Sequence, residues 1–176
     1  MIIVEGPPKV GKTTLVHKLA DLLHYVPAKP PERGMSFNDY CSMAHPRFVW
    51  DTYHWIGVIN GDSPLYPESF AALDGYLRLV PTFTVLITVE KHLARDRSSS
   101  TEEFERCLLF NEVHSQYHWN DLRFDWNYGF QSWEKAPYIN DVTIADIVSK
   151  YIDFRDKCDT FLQEIYYGVS RNGSRV

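Results

Sequence analysis

The chain has 176 residues, 44% of them hydrophobic and 23% charged, with a formal net charge of -5. That length suits one domain around one core, and the acidic balance excludes a general electrostatic pull toward a phosphodiester backbone. No apolar stretch approaches the ~18 residues of a membrane span, and Cys41, Cys107 and Cys158 are too scattered for a disulfide framework or a metal pattern, so free thiols in a reducing compartment are expected.

The opening run Ile2-Ile3-Val4 is β-branched and stops at Gly6, which predicts a buried strand. It carries no charged leader followed by a long apolar run, so no secretory signal is read there and a cytoplasmic location is the expectation. From Thr13 to Leu23 the apolar positions Leu15, Val16, Leu19, Leu22 and Leu23 form a helical stripe. Val26 to Glu32 carries Pro27, Pro30 and Pro31 and reads as a loop. Arg47 to Asp51 reads as a short extended piece. It leads through Tyr53, His54 and Trp55 to the turn cluster Asn60-Gly61-Asp62-Ser63-Pro64.

Ser69 to Leu79 predicts a helix ended by Pro81. Thr82 to Val89 is unbroken and β-branched, as in a strand covered on both faces. Thr101 starts a long helix to about Trp119, with Glu102 or Glu103 as its capping partner. Asn120 to Lys135 reads as irregular, Tyr138-Ile139 as a last strand, Asp141 to Ile152 as a helix, and about 168–176 as a tail. Strands alternating with helices predict an α/β fold with a mostly parallel sheet, in a single domain over 1–176.

Gly6-Pro7-Pro8-Lys9-Val10-Gly11-Lys12-Thr13 fits G-x-x-x-x-G-K-[ST] in full, between a strand and a helix. The two glycines permit backbone that a side chain would block, so the loop amides can turn toward phosphate oxygens. The helix that starts near Lys12 directs its positive end at the same anion. The segment from Gly6 through Thr14 is therefore the expected binding loop for ATP. Lys12 reaches the β- and γ-phosphates, and the Thr13 hydroxyl is the expected Mg²⁺ ligand.

The segment Val4-Glu5-Gly6 through Gly11-Lys12-Thr13-Thr14-Leu15 resembles the thymidylate kinase family and related deoxynucleoside kinases, which open with Glu-Gly-x-Asp-x-x-Gly-Lys-[Ser/Thr]-Thr. Phe48-Val49-Trp50-Asp51-Thr52-Tyr53 is similar to the family's strand ending in Asp-Arg-Tyr, Arg95 and Arg97 to its lid arginines, and Glu103, Phe104, Arg106 and Tyr117 to its post-lid helix. Tyr138-Ile139-Asn140-Asp141 is similar to its last strand and adenine-side loop. The likeness spans most of the chain, with the P-loop its specific part, and the short stretch before Asp51 is most like compact bacteriophage-encoded members. The resemblance implies a P-loop NTPase fold of three α/β/α layers with a short arginine-bearing lid at about 91–102. It further implies an ATP- and Mg²⁺-dependent kinase acting on a deoxynucleoside monophosphate, in which Lys12, Asp51, Arg95 and Arg97 carry the chemistry. If the chain is phage-encoded, its place is the host cytoplasm.

Two positions depart from the family. Pro8 stands where the family has an acid that contacts the acceptor's 3′-hydroxyl, and Thr52 stands where it has an arginine that helps hold the acceptor phosphate. Lys9 adds a cation inside the loop, and Arg47 and Arg78 are alternative acceptor-side cations.

Asp51, at a strand end beside the P-loop, is read as a proton acceptor, a Mg²⁺-positioning group or a helix cap. Arg95 and Arg97 are read as lid cations or as a solvated turn, and Arg106 as a third cation or a surface ion pair. Tyr53, Trp55 and Tyr117 are stacking candidates or core. His114 and His118 have a metal-compatible spacing without a third ligand, and Glu90 is an outer-sphere Mg²⁺ candidate.

Two further functions compete. One is a kinase for a hydroxyl, on a nucleoside or on 5-hydroxymethyluracil in phage DNA. The other is a nucleotide-binding ATPase or switch. The expected partner is a small nucleotide-like acceptor, with DNA only under the first alternative. A homodimer is the assembly to test, and no membrane partner is expected.

Overall fold

The computed structural model describes residues 1–32, 34–54, 72–73, 75–77, 80–88, 95–96, 98–116, 122–125 and 141–167. Five strands, β1 (Ile2–Glu5), β2 (Val26–Ala28), β3 (Phe48–Asp51), β4 (Phe83–Thr88) and β5 (Leu122–Asp125), form one sheet in the order β2-β3-β1-β4-β5. Every pairing is parallel. Four helices intervene: α1 (Lys12–Leu23), α2 (Phe37–Met43), α3 (Thr101–Gln116) and α4 (Asp141–Tyr167).

β1 is the central strand, buried along its whole length. Alternation divides its side chains between two cores. Ile2 and Val4 join Leu15, Val16 and Leu19 of α1, Cys107 of α3 and Ile144, Ile147 and Tyr151 of α4. Met1 and Ile3 join Tyr40 of α2, Trp50, Tyr53, and Leu73 and Leu77 from helical residues. Burial of each such Leu, Ile or Val contributes roughly 1.5–3 kcal/mol. The result is a three-layer α/β/α P-loop NTPase fold. Since the strand order reverses at β1, the carboxyl ends of β1, β3 and β4 mark the edge where open α/β sheets bind ligands.

Several elements differ from the sequence expectations. Val26–Ala28 is a strand, not a loop. It lies at the sheet edge, where Pro27 is tolerated because its missing N–H costs no ladder bond. α2 went unpredicted, yet it carries a full capping box. The Ser36 hydroxyl accepts from the Asp39 amide, and the Asp39 carboxylate accepts from the Ser36 amide at 2.8 Å. β5 falls inside the stretch expected to be irregular, and α4 runs past Ile152 to Tyr167, with Phe154 packed on Phe83 at a ring-centroid distance of 5.4 Å. The expected strand at Tyr138-Ile139 lies outside the described residues. Among the described residues no helix is long and apolar enough to cross a membrane.

Candidate active site

The loop from Gly6 to Gly11 leaves β1 and enters α1 at the carboxyl edge of the sheet. Its shape depends on glycine at both ends. A Cβ on Gly6 would stand 2.7 Å from the Ile87 carbonyl oxygen of β4, and Gly11 has φ +89°. Lys9 also takes a left-handed conformation, at φ 62°. Gly11 is the N-cap of α1 and offers no side-chain acceptor, and the first turn holds no acidic residue. The first-turn amides thus keep their donors, and no acidic residue of the first turn itself offsets the positive helix end.

Lys12 lies inside this arrangement, with Nζ donating to the Pro7 carbonyl at 2.7 Å. Burial pushes its pKa below the usual ammonium range, while Asp51, Glu5 and the Cys107 thiol favour its charged form. Asp51 ends β3 opposite Val4 of β1 and is almost fully buried. The exposed Thr13 hydroxyl donates to Asp51 Oδ2. With its proton directed at the carboxylate, the Thr13 oxygen keeps its lone pairs for a cation.

After Asp51 the chain turns sharply. Thr52 is buried with φ 60°, a rare conformation for a β-branched residue. The bend is pinned on both sides: the Thr52 amide donates to the Val4 carbonyl at 2.9 Å, and the Tyr53 amide donates to Glu5 Oε1 at 2.9 Å. Residues 52–54 are not helical, so Asp51 does not cap a helix beginning at Thr52. Tyr53 is core, its hydroxyl bonded to the Tyr40 carbonyl and its ring edge-on to Trp50 and Tyr40. It is not placed to stack on a base.

A second junction links the loop to the start of α3. Lys9 Nζ lies 2.9 Å from Glu103 Oε1 and 3.3 Å from Ser99 Oγ. Glu103 also accepts from the Ser99 amide and hydroxyl, at 2.7 and 2.6 Å. These bonds from Ser99, followed by Lys9, hold the Glu103 carboxyl down at about 2. The cap of α3 itself is Ser100, whose hydroxyl accepts from the Glu103 amide.

The other sequence candidates divide. Arg95 lies in an exposed helical turn, and Arg97 lies outside the described residues, as do Glu90, Arg78, Trp55, Tyr117 and His118. Arg106 pairs with Glu102 on the exposed face of α3, the surface ion pair of its two readings. Arg47 precedes β3 and bonds through its carbonyl to Val26. It therefore stands roughly 13 Å of extended chain from Asp51, at the wrong end of the strand, and is not an acceptor-side cation. Among the described residues no cluster of three His, Cys, Asp or Glu can hold a metal, and Cys41, Cys107 and Cys158 form no disulfide.

Chemically, the loop amides and Lys12 form a donor set suited to a chain of phosphates. The Thr13 and Asp51 oxygens suit a hard divalent cation. Glu5 entered the sequence reading only as part of the family resemblance and Ser99 was given no role, although an acid closing the apolar run Ile2-Ile3-Val4-Glu5 was a visible signal.

No family model matches the chain, and no curated protein matches it. Solved structures do. The chain is similar to the YorR protein from Bacillus subtilis, solved in complex with phosphorylated GDP, with a TM-score of 0.63 and 18% identity over 95% of this chain and 97% of that one. A gluconokinase from Sinorhizobium meliloti matches at a TM-score of 0.47 and 13% identity, over 94% and 96% of the two chains. The likeness is one of fold.

Proposed function

We propose that this chain is a single-domain kinase that transfers the γ-phosphoryl group of MgATP to a deoxynucleoside monophosphate. The observation that carries the reading is the junction of the Gly6–Thr13 loop with Asp51 through the Thr13 hydroxyl. It joins a phosphate-shaped donor set to a pair of oxygens suited to a cation at one end of the sheet. In this reading the loop amides and Lys12 hold the phosphates, and Thr13 and Asp51 hold the metal ion. When bound, Mg²⁺ neutralises phosphate oxygens and keeps attacking and leaving groups aligned. Lys12 follows the charge that develops on the transferred group, and Arg95 and Arg97 add to it from a lid at about 91–102.

A nucleotide as acceptor is supported by the resemblance to deoxynucleotide kinases and by a protein of this fold solved with a phosphorylated guanosine nucleotide. ATP-consumption assays across the deoxynucleoside monophosphates test it, and turnover with none of them overturns it.

One observation favours the hydroxyl-kinase reading. Thr52 stands where the resemblance places an acceptor-phosphate arginine, and it is buried with its hydroxyl bonded to the Asp51 carbonyl. A hydroxyl acceptor needs no cation there. Against this reading, the Thr13 bond directs Asp51 to the metal side rather than leaving it as a base. Labelled phosphate appearing on a nucleoside or on hydroxymethyluracil DNA, and on no monophosphate, decides for it. Hydrolysis independent of any acceptor decides for the ATPase reading.

A further inference from the structure

Glu5 has no direct place in the chemistry above, yet it is fully buried at the carboxyl end of the central strand, one residue before the loop begins. A carboxylate in such a position costs free energy unless it is bonded and balanced by charge. Its Oε1 accepts the Tyr53 amide at 2.9 Å, across 48 residues of chain. That amide lies just beyond Thr52, whose φ of 60° is unfavourable for a β-branched residue and persists only where neighbouring contacts impose it. On the other side of Thr52, Asp51 is held by the strand register with Val4 and bonded to Thr13.

From this we infer that Glu5 is a positioning residue: by holding the Tyr53 amide it imposes the bend at Thr52 and so aims the Asp51 carboxylate at the Thr13 hydroxyl. The inference rests on the proposed metal-side role of Thr13 and Asp51. It assigns to the residue before the loop the task of setting the geometry of a cation site it does not touch. Its negative charge has a second use, because together with Asp51 it favours the charged form of Lys12 against burial. Among the described residues its charge acts on Lys12 of α1 and Tyr40 of α2, and its Oε1 accepts the Tyr53 amide.

The test is the metal dependence of nucleotide binding, measured by calorimetry with ATP in Mg²⁺ and in EDTA on the full chain. The ratio of the two dissociation constants reports how well Thr13 and Asp51 engage the metal. In Glu5→Ala that ratio is expected to fall about tenfold, the scale of losing one charge-assisted hydrogen bond, while affinity in EDTA changes less than about threefold. Thr52→Gly accepts the left-handed conformation without strain, so adding it to Glu5→Ala is expected to recover most of the lost ratio. Glu5→Gln, which keeps a carbonyl oxygen for the Tyr53 amide, is the second variant should Glu5→Ala not fold, and its ratio is expected between those of wild type and Asp51→Asn. A ratio unchanged in both Glu5 variants, or a loss that Thr52→Gly does not relieve, overturns the inference. A wild-type protein that binds no ATP at all overturns the proposed function instead.

Discussion

The Thr13 hydroxyl donates to the Asp51 carboxylate and so joins the first turn of α1 to the end of β3, 38 residues apart in the chain. This single bond joins a glycine-rich loop and a buried acid at one place on the sheet edge. If the two residues act together on one metal ion, their substitutions are not independent. Asp51→Asn is expected to lower turnover far more than ATP affinity. Thr13→Ala is expected to do the same, and the double variant to be little worse than the worse single one. Steady-state kinetics of the three variants checks this. Additive losses, or turnover in Asp51→Asn comparable with wild type, return Asp51 to a structural role.

Gly6 and Gly11 are needed for different reasons, and their alanine variants are expected to differ accordingly. A methyl at Gly6 meets the Ile87 carbonyl at 2.7 Å, and that oxygen belongs to a central strand that cannot yield easily. Gly6→Ala is expected to cost about 1–3 kcal/mol through overpacking. Gly11 has open space around its Cβ position and only its φ of +89° to defend, so Gly11→Ala is expected to cost about 1–2 kcal/mol through backbone strain. Denaturant unfolding of both variants gives the two costs. A Gly6→Ala protein as stable as wild type contradicts the close approach of loop and strand.

The Lys9–Glu103 junction carries a pH signature. The folded Glu103 carboxyl titrates at about 2, below its ordinary value of 4.5. Between these values the unfolded chain binds more protons, so the junction's contribution is complete above about pH 4.5 and declines as pH falls toward 2. Glu103→Gln abolishes that contribution. The stability difference between wild type and Glu103→Gln is therefore expected to be constant above about pH 5 and to shrink in acid. Because the Lys9 side chain is half exposed, the difference is small and weakens with salt. Urea titrations from pH 3 to 7 measure it, and a difference that grows on acidification contradicts the assignment.

Tyr53 separates a packing role from a binding role. Its ring is fully buried and its hydroxyl donates to the Tyr40 carbonyl. Tyr53→Phe leaves that carbonyl without its donor, at an expected cost of about 1–3 kcal/mol, with no change in ATP affinity. Thermal unfolding and calorimetry together check both halves. A nucleotide affinity that falls while stability holds would place Tyr53 in the site after all.

How much of this was legible in the sequence depended on how local each signal was. The strand, loop and first helix could be read directly, because the β-branched run, both glycines and the apolar stripe lie within one short stretch, Ile2 to Leu23. β4 was equally plain, an unbroken run covered on both faces. β2 was hidden by Pro27, which only its edge position permits, and α2 by its length of seven residues, too short to show a stripe. β5 pairs with β4 through Leu122-Arg123-Phe124-Asp125, whose apolar–polar alternation covers only four residues and does not stand out within a stretch rich in aromatics. The acid at Asp51 was recognisable from its place after a strand, but the bend that aims it was not. A left-handed threonine whose following amide is held by a carboxylate 48 residues away from that amide is a tertiary fact. Arg47 misled for a related reason: nearness to Asp51 in sequence becomes distance along an extended strand.

The measurement that bears most directly on the account is the fate of the γ-phosphate of labelled ATP, with Mg²⁺ and each deoxynucleoside monophosphate in turn, for wild type and Lys12→Ala. The account predicts labelled deoxynucleoside diphosphate from at least one acceptor with wild type, and none from Lys12→Ala that retains the wild-type circular dichroism spectrum. No transfer to any monophosphate by wild type, or undiminished transfer by a folded Lys12→Ala, contradicts it.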